Sequence, residues 1–226
     1  MRNIAIILAG GIGSRIGGKT PKQLLPLADG RSVLEHSVDA FEQSRAIHEI
    51  VVVMHPDWLN EAEEMIRKNS WAKVKHLISG GRERWESSWN AIRLYQPENQ
   101  NGPDTCYWFH DAARPFVSQR ILTDVAQALE THAAVTVALP VTDTLYHVAE
   151  GHIADIPSRS EFMRAQTPQA FRLEVIEEAF RRAMTSGQVA ATDDVGIVHR
   201  YMPEVPVYIV AGEETNRKIT YIEDIK

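Results

Sequence analysis

The chain has 226 residues, a formal net charge of -6 and one cysteine. Its length suits a single domain, residues 1–226, with a sizeable core, and its acidic balance excludes a nucleic-acid coat or a membrane-surface binder while leaving room for a focused basic pocket. A lone cysteine excludes a disulfide framework and points to a cytoplasmic setting, and no apolar run approaches the ~18 to 20 residues that span a bilayer.

The first apolar run, "IAIILA" (Ile4 to Ala9), is too short for a signal peptide and leads straight into Gly10 and Gly11, so it reads as a buried first strand. Next comes a helix, "SVLEHSVDAFEQ", whose Ser32 and Glu35 fit a capping box. "EIVVVMH" is a continuous apolar strand, followed by a helix from Asp57 to Asn69. "KVKHLIS" then reads as strand, "RWESSWNAIRLY" as helix, "TCYWFH" as strand, "SQRILTDVAQALETH" as a helix capped by Ser118, and "AAVTVALP" as strand. From Thr142 to about Arg159 the short alternating stretches "TDTLYHV" and "HIADIP", with Gly151 between them, suggest a β-hairpin excursion, an arm over about residues 141–160. A helix ("LEVIEEAFRRAM"), a loop holding "TDD" and a last strand, "VPVYIVAG", complete the chain.

Alternating strands and helices imply an α/β fold, a mostly parallel sheet with helices on both faces. Ligands of such sheets bind beyond the carboxyl ends of the strands, which directs attention to residues 10–23, 79–88 and 110–118.

Within the first of these loops, "GSRIGGKT" (Gly13 to Thr20) matches the P-loop pattern of an ATPase. The context argues against it: the strand ends before Gly10, and Pro21 and Pro26 leave room for barely one turn of helix after Thr20. A second parsing, "LAGGIGSR" then "PKQLLPL", fits better. Gly10, Gly11 and Gly13 let the backbone bend around a triphosphate and donate N–H bonds, and Arg15 and Lys22 add positive charge.

This loop resembles the signature of nucleotidyltransferases that join a nucleoside triphosphate to a phosphorylated small molecule. With "SGGRERWESSWNAI", "FHDAARPFVS" and "RAQTPQAFR", the chain from Ile4 to about Thr220 resembles the cytidylyltransferases acting on methylerythritol phosphate and on ribitol phosphate. The resemblance implies a Rossmann-like domain of the nucleotide-diphospho-sugar transferase type with a projecting β-arm, a homodimer formed through that arm, and Mg²⁺-dependent transfer of CMP from CTP to a polyol phosphate.

Position by position, it implies that Ala9, Gly10, Gly11, Gly13, Gly81 and Ser87 surround the nucleotide, and that Arg15, Lys22 and Lys218 are the catalytic cations. It places Asp111 and Arg114 at the reaction centre, Asp111 facing either Mg²⁺ or the polyol. Thr144, Arg159, Thr167 and Thr192 are implied as contacts of the acceptor. Arg82 departs from relatives that carry an acidic residue there. "HDAARP" favours methylerythritol phosphate as acceptor, whereas "LAGG" and "DIPSR" lean toward ribitol phosphate.

The remaining residues read as structural. The nine histidines lack metal-ligand spacing, Cys106 sits in a core strand, and Trp85 and Trp89 fall four apart on a helix, as packing residues do. Asp193 and Asp194 fit a metal or a helix cap. The leading expectation is a cytidylyltransferase acting on methylerythritol phosphate, with a ribitol phosphate enzyme as its neighbour. A nucleotide-binding regulator without turnover is the rival of another class, disfavoured by the cations Arg15, Lys22 and Lys218.

Overall fold

The computed structural model describes residues 1–11, 20–95, 104–187, 189 and 191–225. Buried apolar runs make three strands of the parallel half of the sheet, β1 (Arg2–Ala9), β2 (Glu49–Met54) and β4 (Thr105–Asp111), and the partly exposed β3 (Val74–Ser79) forms its edge. In β1 alternate residues enter opposite cores. Ala5, Ile7 and Ala9 join α1 (Val33–Glu42), α2 (Leu59–Asn69) and α4 (Gln119–Leu129) on one face, while Ile4, Ile6 and Leu8 join α3 (Arg84–Leu94) on the other. Burying each isoleucine or leucine of this strand stabilises the fold by about 1.5–3 kcal/mol. The helix starts are set locally, as expected: Ser32 and Glu35 form a reciprocal capping box, and the Ser118 hydroxyl accepts from the Ile121 amide.

The seven-stranded sheet runs β3-β2-β1-β4-β8-β5-β9, adding β5 (Ala134–Pro140), β8 (Met163–Arg172) and β9 (Tyr208–Ala211). The segment holding Gln-Thr-Pro-Gln was not expected to be a strand; it is β8, antiparallel to both β4 and β5. The reason is its connection. After β5 the chain makes no helical crossover but enters the separate two-stranded sheet of β6 (His147–Ala149) and β7 (His152–Asp155), then returns beside β5, which imposes antiparallel pairing.

The "TDD" stretch is likewise not a plain loop. It leads from α5 (Leu173–Thr185) into α6 (Asp194–Tyr201), whose N-cap is Asp193, accepting from the Gly196 amide at 2.8 Å. The expected last strand shortens to the four residues of β9. Cys106 is buried, and Trp89 stacks on Phe180. Among the described residues no helix is long and apolar enough to cross a membrane.

Candidate active site

The crossovers leave β1 and β4 in opposite directions along the sheet, so their carboxyl ends open a crevice between them, the topological switch point at which α/β sheets bind ligands. A cleft of about 390 Å³ lies there, lined by Gly10 and Gly11 after β1, Gly81, Arg84 and Ser87 after β3, Asp111 at the end of β4, and Lys22 and Lys218 from flanking segments. Seven residues expected at the site from sequence, Gly10, Gly11, Lys22, Gly81, Ser87, Asp111 and Lys218, are thus brought together. Gly13 and Arg15 lie outside the described residues. Lys22 opens a single short turn, Lys22–Leu24, directly after Pro21, which is not the helix a P-loop requires.

The backbone approaches closely between the loops after β1 and β3. A Cβ on Gly10 would stand 3.3 Å from the Ser87 hydroxyl, and one on Gly81 would overlap the Glu86 side chain. The Ser87 hydroxyl accepts from the Gly81 amide at 3.1 Å. Ala9 is buried at the end of β1 behind this glycine floor.

Asp111 organises the charge. Its Oδ1 accepts from Arg84 Nε at 3.0 Å and its Oδ2 from Lys218 Nζ at 2.8 Å. Burial opposes ionisation of Asp111, but Arg84 and Lys218, with Arg114 nearby, outweigh it and hold the carboxyl well below the usual carboxylate range. Arg84 also donates from Nη1 to Asp194 Oδ2 at 2.7 Å, and the Asp194 side chain is 0 % exposed. Burial disfavours the Arg84 charge, yet these two carboxylates raise its pKa. Sequence reasoning missed Arg84. Its position at a helix start looks solvent-facing, and the partner Asp194 stands 110 residues away.

The two glutamines of Gln-Thr-Pro-Gln act as tethers. Gln166 accepts from the Glu213 amide and the Asn216 side chain, fixing the segment that carries Lys218. Gln169 accepts from the amides of Asp194 and Val195, fixing the head of α6. Lys22 Nζ donates to the Ile219 carbonyl at 2.8 Å, so the two lysines are linked through one stretch of backbone.

The other expected residues stand apart from the cleft lining. Arg114 donates to the Asn216 and Ala165 carbonyls, and Thr167 is buried against His110. Thr144 and Thr192 are exposed, and Arg159 donates to the Thr142 carbonyl. Among the described residues no group of three or more His, Cys, Asp and Glu side chains is gathered as a metal cage. Mg²⁺ characteristically needs one or two carboxylates when substrate phosphates supply the rest, and Asp111 fits that demand, because the other carboxylate of the cleft, Glu83, caps α3.

The family model "IspD: 2-C-methyl-D-erythritol 4-phosphate cytidylyltransferase" matches residues 3–226. A 2-C-methyl-D-erythritol 4-phosphate cytidylyltransferase of Thermobifida fusca (strain YX) is 44% identical over 229 residues, covering 99% of this chain and 90% of that protein. The bifunctional ribulose 5-phosphate reductase/CDP-ribitol pyrophosphorylase Bcs1 of Haemophilus influenzae is 39% identical, covering 99% of this chain and 47% of its own length. The crystal structure of 4-diphosphocytidyl-2C-methyl-D-erythritol synthase from Anaerococcus prevotii DSM 20548 superposes with a TM-score of 0.83 at 26% identity, covering 99% of this chain and 92% of that one.

Proposed function

The chain belongs to the 2-C-methyl-D-erythritol 4-phosphate cytidylyltransferase family, and from that premise we propose that it transfers CMP from CTP to 2-C-methyl-D-erythritol 4-phosphate, giving CDP-methylerythritol and pyrophosphate. The observation that carries this reading is the convergence of Lys22, Lys218 and Arg84 around Asp111 in a glycine-floored cleft at the switch point.

The chemistry needs cations more than a base. A phosphate monoester loses its second proton near pH 6, so the acceptor arrives largely as a dianion. One of its oxygens bonds to the α-phosphorus of CTP while the bond from that phosphorus to the β-phosphate oxygen breaks, and the electron pair leaves with pyrophosphate. Lys22 and Lys218, with Arg15, offset the repulsion between the two anions and stabilise the charge that builds in the transition state. Mg²⁺ fits as an ion carried on the triphosphate, with Asp111 as the carboxylate facing it; when bound, it neutralises phosphate charge. Gly10, Gly11, Gly81 and Ser87 surround the nucleotide, and Asp111 borders the acceptor.

The dimer belongs to the same reading. Thr144 and Arg159 lie in the hairpin region and not on this chain's cleft, and the hairpin exposes Tyr146, Val148, Ile153 and Ile156, each 57–58 % accessible. Apolar exposure of this kind supports a homodimer in which the hairpin carries Arg159 to the partner's acceptor site. The lone cysteine supports a cytoplasmic setting.

The test is pyrophosphate release with CTP and Mg²⁺, comparing 2-C-methyl-D-erythritol 4-phosphate with ribitol 5-phosphate and CTP with UTP. The methylerythritol substrate with CTP is expected to be the best pair by kcat/KM. Faster turnover of ribitol 5-phosphate would reassign the acceptor, and equal use of UTP would remove cytosine reading.

A further inference from the structure

Lys218 reaches the cleft from a stretch without regular structure: after β9 the chain makes a single short turn, Glu214–Asn216, and Lys218 itself lies in neither helix nor strand. No backbone ladder fixes such a lysine, so side chains must. Two residues earlier stands Asn216, 0 % exposed. Its Nδ2 donates to β8 twice, to the Thr167 carbonyl at 2.8 Å and to Gln166 Oε1 at 3.2 Å.

These side-chain amides fit only one way round. The Glu213 carbonyl only accepts, so it takes Gln166 Nε2, at 2.8 Å, and turns Gln166 Oε1 toward the Glu213 amide and Asn216. The Thr167 carbonyl likewise only accepts, which commits Asn216 Nδ2 to β8 and leaves Asn216 Oδ1 buried with no hydrogen-bond partner among the described residues. An unpaired buried oxygen costs stability, which a side chain present for packing alone would avoid. The backbone is drawn in along the same line. A Cβ on Gly212 would stand 2.4 Å from Gln166 Oε1, and the Arg114 guanidinium donates to the Asn216 carbonyl at 2.9 Å and to the Ala165 carbonyl of β8 at 3.1 Å. On the far side of Lys218, the buried Ile219 donates from its amide to the Ala113 carbonyl at 2.8 Å.

We propose that Asn216 is a positioning residue: its amide pins the irregular segment to β8 and sets where the Lys218 ammonium meets the phosphates, while Asn216 itself, absent from the cleft lining, touches neither substrate. The kinetic part rests on the cytidylyltransferase reading above; the pin does not. A displacement of about 1 Å in a reacting group can cost on the order of a hundredfold in rate, and a long lysine side chain on an untethered segment would wander further than that.

The decisive variant is Asn216→Leu, which keeps the branched shape and removes the donors, made both in the wild-type chain and in Lys218→Met. In the wild-type chain it is expected to lower kcat by about tenfold or more. In Lys218→Met there is no ammonium left to place, so the same substitution should change kcat by less than about threefold. Equal losses in the two backgrounds would show that Asn216 does not act through Lys218, and would overturn the proposal. A second measurement needs neither a variant nor turnover: solvent exchange of the Asn216 Nδ2 protons, followed in ¹H–¹⁵N spectra of the wild-type protein. These protons are expected to exchange at least about a hundredfold more slowly than those of an exposed asparagine, and exchange at the exposed rate refutes the pin. Wild-type protein that released no pyrophosphate would sink the functional reading, while the exchange rate would still decide the pin.

Discussion

Lys218 Nζ donates to Asp111 Oδ2 across 2.8 Å, although 107 residues separate the two in the chain. The same carboxylate receives the partly buried Arg84, so the cleft holds its half-exposed lysine on an anion that a guanidinium also grips. A bound triphosphate would compete with Asp111 for Lys218 and gain a lysine already at the site.

Replacing Lys218 by Met is expected to lower kcat/KM for CTP by about a hundredfold, since the lost charge acts on the transition state. Stability should fall by no more than about 1 kcal/mol, because the Lys218 side chain is 43 % exposed and such ion pairs contribute little. Lys22→Ala should show a similar loss of kcat with a folded protein. Pyrophosphate-release kinetics and a thermal melt check both, and a merely severalfold loss of kcat/KM removes the catalytic role.

Arg84→Gln should be the costly structural change. It strands Asp194 with no exposed surface and leaves Asp111 with one cation, and breaking a buried pair from one side typically costs about 3–5 kcal/mol. Adding Asp194→Asn to the same chain should recover part of the loss, since a neutral side chain is cheaper to bury than a lone charge. Urea denaturation of the three proteins decides it; strictly additive losses would show that the two side chains are not coupled.

Stability should fall on acidification from about pH 6.5 downward. Burial lowers the His110 pKa from 6.5 to about 4, so the folded state resists a proton that the unfolded chain accepts. Stability from this residue is therefore complete above about pH 6.5 and is lost as pH falls toward 4, by roughly 3 kcal/mol at most. Asp111, held low by Arg84 and Lys218 against its burial, adds a loss of the same sign below about pH 4. Chemical denaturation at pH 7 and pH 4.5 measures the first effect, and His110→Asn should flatten it.

Gly81→Ala should destabilise the loop after β3, because the added methyl overlaps Glu86 at its Cβ, which no rotamer of that side chain can move aside. Overpacking of this kind costs about 1–3 kcal/mol, and the CTP KM should rise as the loop shifts. An unchanged melt and KM would mean that the loop is looser than its contacts imply.

Lys22→Ala and Arg159→Ala, each nearly inactive, should regain activity when refolded together if the hairpin reaches the partner's site. In a mixed dimer one site takes both lesions and the other takes neither. About half the dimers pair at random as mixed, so recovery should approach roughly a quarter of wild type. Failure to recover, with mixed dimers demonstrated by native mass spectrometry, would assign Arg159 to its own subunit.

Much of the parallel half of the fold is determined by the sequence alone, because its signals are local. The apolar runs of β1, β2 and β4 announce strands buried on both faces, and Ser32, Glu35 and Ser118 cap helices through amides three residues away. The glycines at 10, 11 and 81 and the lysine at 22 likewise stand in stretches whose pattern points to phosphate chemistry. What only the tertiary structure decided lies where pairing is distant. β8 carries Gln166, Thr167, Pro168 and Gln169, a poor strand by propensity, and its buried polar groups are satisfied by Glu213, Asn216, His110 and the head of α6. Arg84 has the look of a solvated helix start, yet its carboxylates come from 27 and 110 residues along the chain. Periodicity reports which face of an element meets the core; it carries no information about which distant charge or amide waits there, and in this protein such distant partners pair Arg84 with Asp111 and Asp194 and satisfy the polar groups of β8.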